Sequence, residues 1–410
     1  MIEELASTFP ILTCILFLPV IGAAVLWLFD DEDMVRTSAL TIALLELALS
    51  VFVLLRFVPE SAAMQFSEHV PWIPALGVSY HLAVDGISVL FVGLTAFLTV
   101  LIVIYSWDTV RHQVKLYMMA LLALETTTMG VFHFHRLDPL LRLLGTDAHP
   151  QLFSDQTLGW RSGAALRGTE IRALYLAWQR VYAGGHCPLG RQLSPVGDAA
   201  PCGTDLLVRS AGTALRPDPA QASKSSFSGC CSSASRSRLR YSPSIPGSRD
   251  ALLEGPIGMA VVLAGLKLGT FGFIRFSIPL LPEASKSQTV VTVTMALGLA
   301  AILYGAIMAL IQQDFRRLLA FSSISHLGFV VIGLFALNYQ GLQGSLLTMI
   351  NLGFSTAGLF FIAGFLYSRQ QNTQLGSFGG MAKQTPLLAS FFLVHWAGVD
   401  RLAGHQWLRR

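Results

Sequence analysis

Long apolar runs separated by short polar stretches fill both ends of this chain. They lie at 10–29, 38–58, 86–105 and 117–132, then at 256–280, 289–311, 318–337 and 345–367, with another opening at 386. A helix that crosses the hydrocarbon core of a bilayer needs roughly 20 mostly apolar residues, and these runs are near that length. Open strands in lipid would leave backbone groups unpaired, so each run is read as a helix. The pattern predicts an all-α, polytopic transmembrane helix bundle. The middle breaks the pattern. From 133 to 249 the chain is rich in Arg, Ser, Gly and Pro, and no run there is long enough to span. That composition suits a large soluble loop or a disordered linker. The chain therefore divides into 1–132, 133–249, 250–394 and a polar tail, 395–410.

Composition sharpens the membrane reading. The chain is 53% hydrophobic and 13% charged, with a mean hydropathy of +0.58. A soluble globular protein carries about 25% charged residues. The net charge of +4 is too small to imply a nucleic-acid partner. Five cysteines, two of them adjacent at Cys230 and Cys231, suit neither a disulfide framework nor a zinc site. There is no Gly-rich nucleotide loop and no cysteine cluster for iron–sulfur ligation, so no cofactor is expected in this chain. The start carries Glu3 and Glu4 and no basic region, so a first span that stays is expected rather than a cleaved signal peptide. Arg36 follows the first run, and Arg111 and Lys115 follow the third, while 59–85 holds no Lys or Arg. This asymmetry puts the first two loops on the cytoplasmic side.

A few polar residues inside the runs carry candidate chemistry. Lys267 sits near the centre of its run, where inserting a lysine costs roughly 2.5–3.5 kcal/mol. Such a group needs a protein interior, water or a partner around it, and burial lets it give and take a proton. Snorkelling to the interface is the alternative, made difficult by its distance from the run's ends. His326 follows Ser322, Ser323 and Ser325 at helical spacing, and an imidazole with hydroxyls nearby suits a proton relay. It would equally serve as a packed core residue. Glu125, in the fourth run, is either a functional carboxylate or one satisfied by a neighbour. Asp85 is expected to start a helix as an N-cap. Asp314, Arg316 and Arg317 read as an interfacial charge cluster, and Arg275 as a side chain that snorkels or pairs with a lipid head group.

Five stretches carry a family resemblance. They are YHLAVDGISVL at 80–90, EGPIGMAVVLAGLKLGTFGFIRF at 254–276, QDFRRLLAFSSISHLGFV at 313–330, MINLGFSTAGLFF at 349–361 and GGMAKQTP at 379–386. They resemble the antiporter-like subunit M (chain 4 type) of the proton-pumping NADH:quinone oxidoreductase, respiratory complex I. The resemblance implies two inverted five-helix repeats with helices broken at the midplane. It implies a lysine of the proton path at Lys267 and a relay histidine at His326. It also implies partners among the other membrane subunits of complex I and the lipid bilayer, a multi-pass place in the bacterial inner membrane, and NADH, flavin, iron–sulfur and quinone chemistry in other subunits. A multisubunit cation/proton antiporter or a membrane-bound hydrogenase uses a similar module.

The chain also departs from the family. Gly145 and Thr146 stand where a fifth-span glutamate belongs, Ser237 and Arg238 where a second lysine belongs, and Leu352 where a histidine is often found. The family's twelfth-span glutamate would lie past Arg410. Rereading 228–249 one base earlier, and 139–158 and 395–409 in shifted frames, recovers apolar strings like consecutive pieces of the family. The middle and tail therefore read as out-of-frame translation, and a non-functional frameshifted copy is a further alternative.

Overall fold

The computed structural model describes residues 10–61, 63–73, 78–133, 256–280, 282–378 and 380–405. The out-of-frame reading of 133–249, His133 apart, and the replaced positions 145, 146, 237 and 238 lie outside the described residues.

The first two runs become α1 (Ile11–Leu26) and α2 (Glu32–Arg56). α2 begins ahead of its apolar run, because Asp31 caps it by accepting the Asp33 amide at 3.3 Å and acidic residues fill its first turn. Both features favour a helix start. The polar stretch 59–85, expected as a loop, contains a hairpin of β1 (Gln65–Ile73) and β2 (Val78–Val84), paired antiparallel. Its Glu68 carboxylate accepts from the Leu12 and Thr13 amides at 2.8 and 3.1 Å and from the Thr13 hydroxyl. These amides belong to the first turn of α1, where no intrahelical acceptor exists, so the hairpin supplies the missing cap.

The next elements are α3 (Ser88–Thr109) and α4 (Val114–His133), which form the centre, with 72% of the apolar window of each buried. Phe91 stacks on Phe132 at 5.3 Å, and Ser106 donates to the Tyr117 hydroxyl at 3.0 Å. These two contacts fix α3 and α4 as antiparallel neighbours.

The run at 256–280, expected as a span, is broken, as the resemblance implies for some helices of the bundle. It consists of α5 (Ile257–Gly265), α6 (Leu268–Gly272), a π-helical turn (Phe273–Ser277) and α7 (Ile278–Leu280), followed by α8 (Pro282–Lys286). Then come α9 (Gln288–Ile311), α10 (Phe315–Phe335), α11 (Tyr339–Gln370), a 3-10 turn (Leu375–Phe378), α12 (Met381–Gln384) and α13 (Pro386–His405). α13 runs through Val394, where the sequence reading drew a boundary.

Among the described residues, six helices are long and apolar enough to cross a membrane: α2, α3, α4, α9, α10 and α11. Only 17% of the window in α9 is buried, and Leu299, Leu303, Ile307 and Leu310 line its outer side, each more than half exposed. Such a stripe, one residue per helical turn, is solvated by hydrocarbon and not by water. The protein is an all-helical membrane bundle carrying one small hairpin.

Candidate functional site

The break in the fifth apolar run falls on Lys267. Leu266 closes α5 by donating its amide to the Val262 carbonyl at 3.1 Å. Lys267 then takes φ 39° and ψ 41°, the left-handed conformation, before α6 begins. A side chain with a Cβ pays about 1–2 kcal/mol for that conformation. The Lys267 carbonyl opens α6, accepting from the Thr270 amide (3.0 Å), the Phe271 amide (3.3 Å) and the Thr270 hydroxyl (2.7 Å). The side chain is buried, with 6% of the residue exposed. This geometry argues against snorkelling. Close approach of α5 to α11 positions the break: a Cβ on Gly265 would lie 3.6 Å from the Gly353 carbonyl and 3.1 Å from Leu98 Cδ1.

His326 is half-buried on α10. The Ser325 hydroxyl reaches across to α9 and donates to the Ile302 carbonyl at 3.1 Å, and the Ser323 hydroxyl donates to the Ala320 carbonyl at 2.8 Å. Ser322 is half-buried one turn before His326. α11 packs against both α10, which carries His326, and α5, which ends at the Lys267 break. Ser345 of α11 donates to the Val330 carbonyl at 3.0 Å, which sets His326, one turn earlier on the antiparallel α10, level with Met349. Gly265 faces Gly353, which sets Lys267 level with about Asn351. The two candidate proton carriers therefore share one depth. Leu352, 3% exposed, and Met349, fully buried, occupy α11 at that depth.

Glu125 is buried on α4, and it does not stand alone. Beside it lies Glu46, fully buried at the middle of α2, and the two carboxyls interact. No hydrogen-bond donor among the described residues satisfies any of their four oxygens. The Thr99 hydroxyl adjoins Glu125 but donates to the Thr95 carbonyl at 3.1 Å. Sequence reasoning missed Glu46, although the signal that marks Glu125, a carboxylate within an apolar run, marks Glu46 equally.

The remaining charges are structural. The Asp85 carboxylate accepts the Ser88 amide at 2.8 Å, as expected of a cap, and also pairs with Arg275. Arg275, expected to snorkel or to pair with a lipid head group, has a protein partner, and it ties the π-helical turn to the start of α3. Asp314 caps α10, accepting from the Arg316 and Arg317 amides at 2.9 and 3.3 Å, and takes the Thr373 hydroxyl at 2.8 Å. Arg316 of the charge cluster is buried.

Comparison with known proteins fits this architecture. Residues 248–401, which hold the break, His326 and most of α13, match the family described as NADH:quinone oxidoreductase/Mrp antiporter, TM. Among solved structures, the chain is similar to a chain of respiratory complex I from Thermus thermophilus with bound NADH, with a TM-score of 0.79, 24% identity and coverage of 95% of this chain and 78% of that one. It also resembles a chain of the membrane-bound sulfane sulfur reductase, an archaeal respiratory membrane complex, with a TM-score of 0.78 at 18% identity, covering 94% of this chain and 61% of that one. The NADH-quinone oxidoreductase subunit M of Rickettsia conorii is 29% identical over 413 residues, covering 96% of this chain and 79% of that protein. Subunit M of Rhodobacter capsulatus is 31% identical, with 93% of this chain and 75% of that protein aligned. The NAD(P)H-quinone oxidoreductase chain 4 2 of Thermosynechococcus vestitus is 33% identical, with 94% and 70% aligned. With this identity over most of the length of these relatives, and with the same helical membrane architecture, the chain belongs to the family of NADH-quinone oxidoreductase subunit M, or chain 4.

Proposed function

We propose that this chain is a proton-translocating membrane subunit of a bacterial NADH:quinone oxidoreductase, lying multi-pass in the inner membrane among lipid and the other membrane subunits of the complex. The observation that carries the proposal is Lys267: a buried lysine in left-handed conformation at the break between α5 and α6 of a spanning run. A lysine in such a place changes its affinity for a proton when a neighbouring charge moves. A broken helix gives it local backbone polarity that a continuous helix lacks. His326, at the same depth, is the second carrier, and Glu125 the third. The chain contributes no redox chemistry; NADH, flavin, iron–sulfur clusters and quinone belong to other subunits. An antiporter of the same superfamily is the alternative class, and the names of the relatives favour the quinone-linked complex.

The test is a proton gradient measured in vesicles holding the assembled complex with the reading frame restored. Lys267→Ala is expected to remove most of the pumping, whereas Lys383→Ala, at an exposed position of α12, leaves it unchanged. Equal pumping by both variants overturns the assignment.

As written, the chain is proposed not to pump by itself. A proton wire in lipid needs titratable groups at short intervals, since isolated charges there are costly. The fifth-span glutamate and the second lysine of the family are replaced at 145, 146, 237 and 238. Alignments that cover 93–96% of the chain span the Arg- and Ser-rich middle, which supports a shifted frame over a foreign insert. Sequencing the source DNA tests this. Single-base changes are expected near the codons for Phe132, Arg249 and Val394 and between those for Cys187 and Phe227. An intact frame in an independent copy excludes frameshifting.

A further inference from the structure

The two buried carboxyls lie on helices that meet only in the folded bundle. α2 packs against both α3 and α4. Glu46 and Glu125 are 0% and 3% exposed, and their oxygens have no donor among the described residues. One turn beyond Glu46, on the same face of α2, the Ser50 hydroxyl is also fully buried and without a partner. Three polar groups from two helices, Glu46, Ser50 and Glu125, therefore lie in an apolar interior with unused hydrogen-bonding capacity. Buried polar groups are almost always satisfied, so such a cluster points to something that completes it.

The charge around the cluster narrows what that is. Of the titratable groups on the helices packed against α2, Glu125 is the one that acts on Glu46. Cys14 of α1 and Asp108 of α3 lie near the helix ends. Among the described residues, Lys267 is the cation nearest in depth. Its position follows from Gly265 opposite Leu98 and Phe271 against Phe91, which puts it near Thr95, whereas Glu125 lies at Thr99. One helical turn, about 5.4 Å of rise, separates the two levels. Two ionised carboxylates side by side in a medium of low dielectric repel strongly and lose their hydration. One proton held between them removes one charge and supplies the missing donor at once.

We propose that Glu46 and Glu125 form a carboxyl pair that binds one exchangeable proton, a proton-holding site between α2 and α4 one turn from the level of Lys267. The pair extends the proposed role of Glu125 by giving it a partner and a ligand. It is tested without pumping, so failure of the one reading leaves the other standing.

The experiment is infrared difference spectroscopy of the full chain in lipid nanodiscs, across pH and in H2O and D2O. The unsubstituted chain is expected to show one deuteration-sensitive protonated-carboxyl band from this pair. Glu46→Gln and Glu125→Gln each shift that band, the double variant abolishes it, and Lys267→Ala leaves a protonated pair in place. The near-isosteric Gln variants preserve packing, and circular dichroism checks their helix content. Two separate bands, one lost in each single variant while the other stays unmoved, mean two independent acids and overturn the proposal. No protonated band in the unsubstituted chain also overturns it, because both groups are then charged. Loss of the band when sodium chloride replaces choline chloride at fixed pH overturns it in favour of a metal-cation site.

Discussion

Two buried charge sites, close in depth, are built in opposite ways. Lys267 sits at a backbone break in a discontinuous helix, with a left-handed φ of 39° and a carbonyl that gathers three donors. Glu46 and Glu125 sit on unbroken helices, and the backbone around them is regular. The first site is made by one segment folding against its own helical tendency. The second is made by two ordinary helices meeting. A cation in lipid needs acceptors, and breaking a helix frees carbonyls. A carboxyl needs donors, which an unbroken helix does not offer, so a second carboxyl with a proton takes that place.

Substitutions can break or sharpen this contrast. The largest effect is expected from Lys267→Ala, which abolishes most proton transfer in the restored complex and leaves the fold intact. Glu46→Leu strands Glu125 and is expected to cost about 1–3 kcal/mol through the unpartnered carboxyl. The double variant Glu46→Leu/Glu125→Leu recovers much of that loss, because apolar replacement of a buried pair is nearly neutral. Steric-trapping unfolding in bilayers measures both, and a double variant less stable than either single one contradicts the pairing. Next comes His326. His326→Ala and His326→Met both slow pumping at normal expression, and normal rates in both would reduce His326 to packing. Leu352→His places an imidazole on α11 level with Lys267 and His326. It is expected to raise the proton-transfer rate modestly, and a rate unchanged from that of the parent rules out α11 as the bridge. The smallest effect belongs to Ser325→Ala, which removes the bond to the Ile302 carbonyl and costs about 0.5–1.5 kcal/mol.

Much of this was legible in the chain. The helices α2, α3, α4, α9, α10 and α11 follow their apolar runs with ends shifted by a few residues, because span length and helicity are both dictated by lipid. Lys267 stood out because a charge in the middle of such a run has few explanations. The cap role of Asp85 was readable from its place before Ser88, since capping is local. The hairpin in 59–85 escaped notice: β1 carries Pro71, a residue that argues against a strand, and β2 shades into the next apolar run. Glu46 was overlooked beside Glu125, and no sequence feature joins the two.

The sequence by itself determined which segments enter the membrane and which carry a charge there. Those properties depend on residues within one helix length, where hydropathy and helix formation act. Tertiary structure decided where the fifth run breaks, which carboxyl faces which, that Arg275 reaches Asp85 across 190 residues, and that Lys267 and His326 share a depth. Each of these is set by helices packing side by side. Contacts such as Gly265 against Gly353 arise from shape in three dimensions, which the hydrophobic pattern along the chain does not encode.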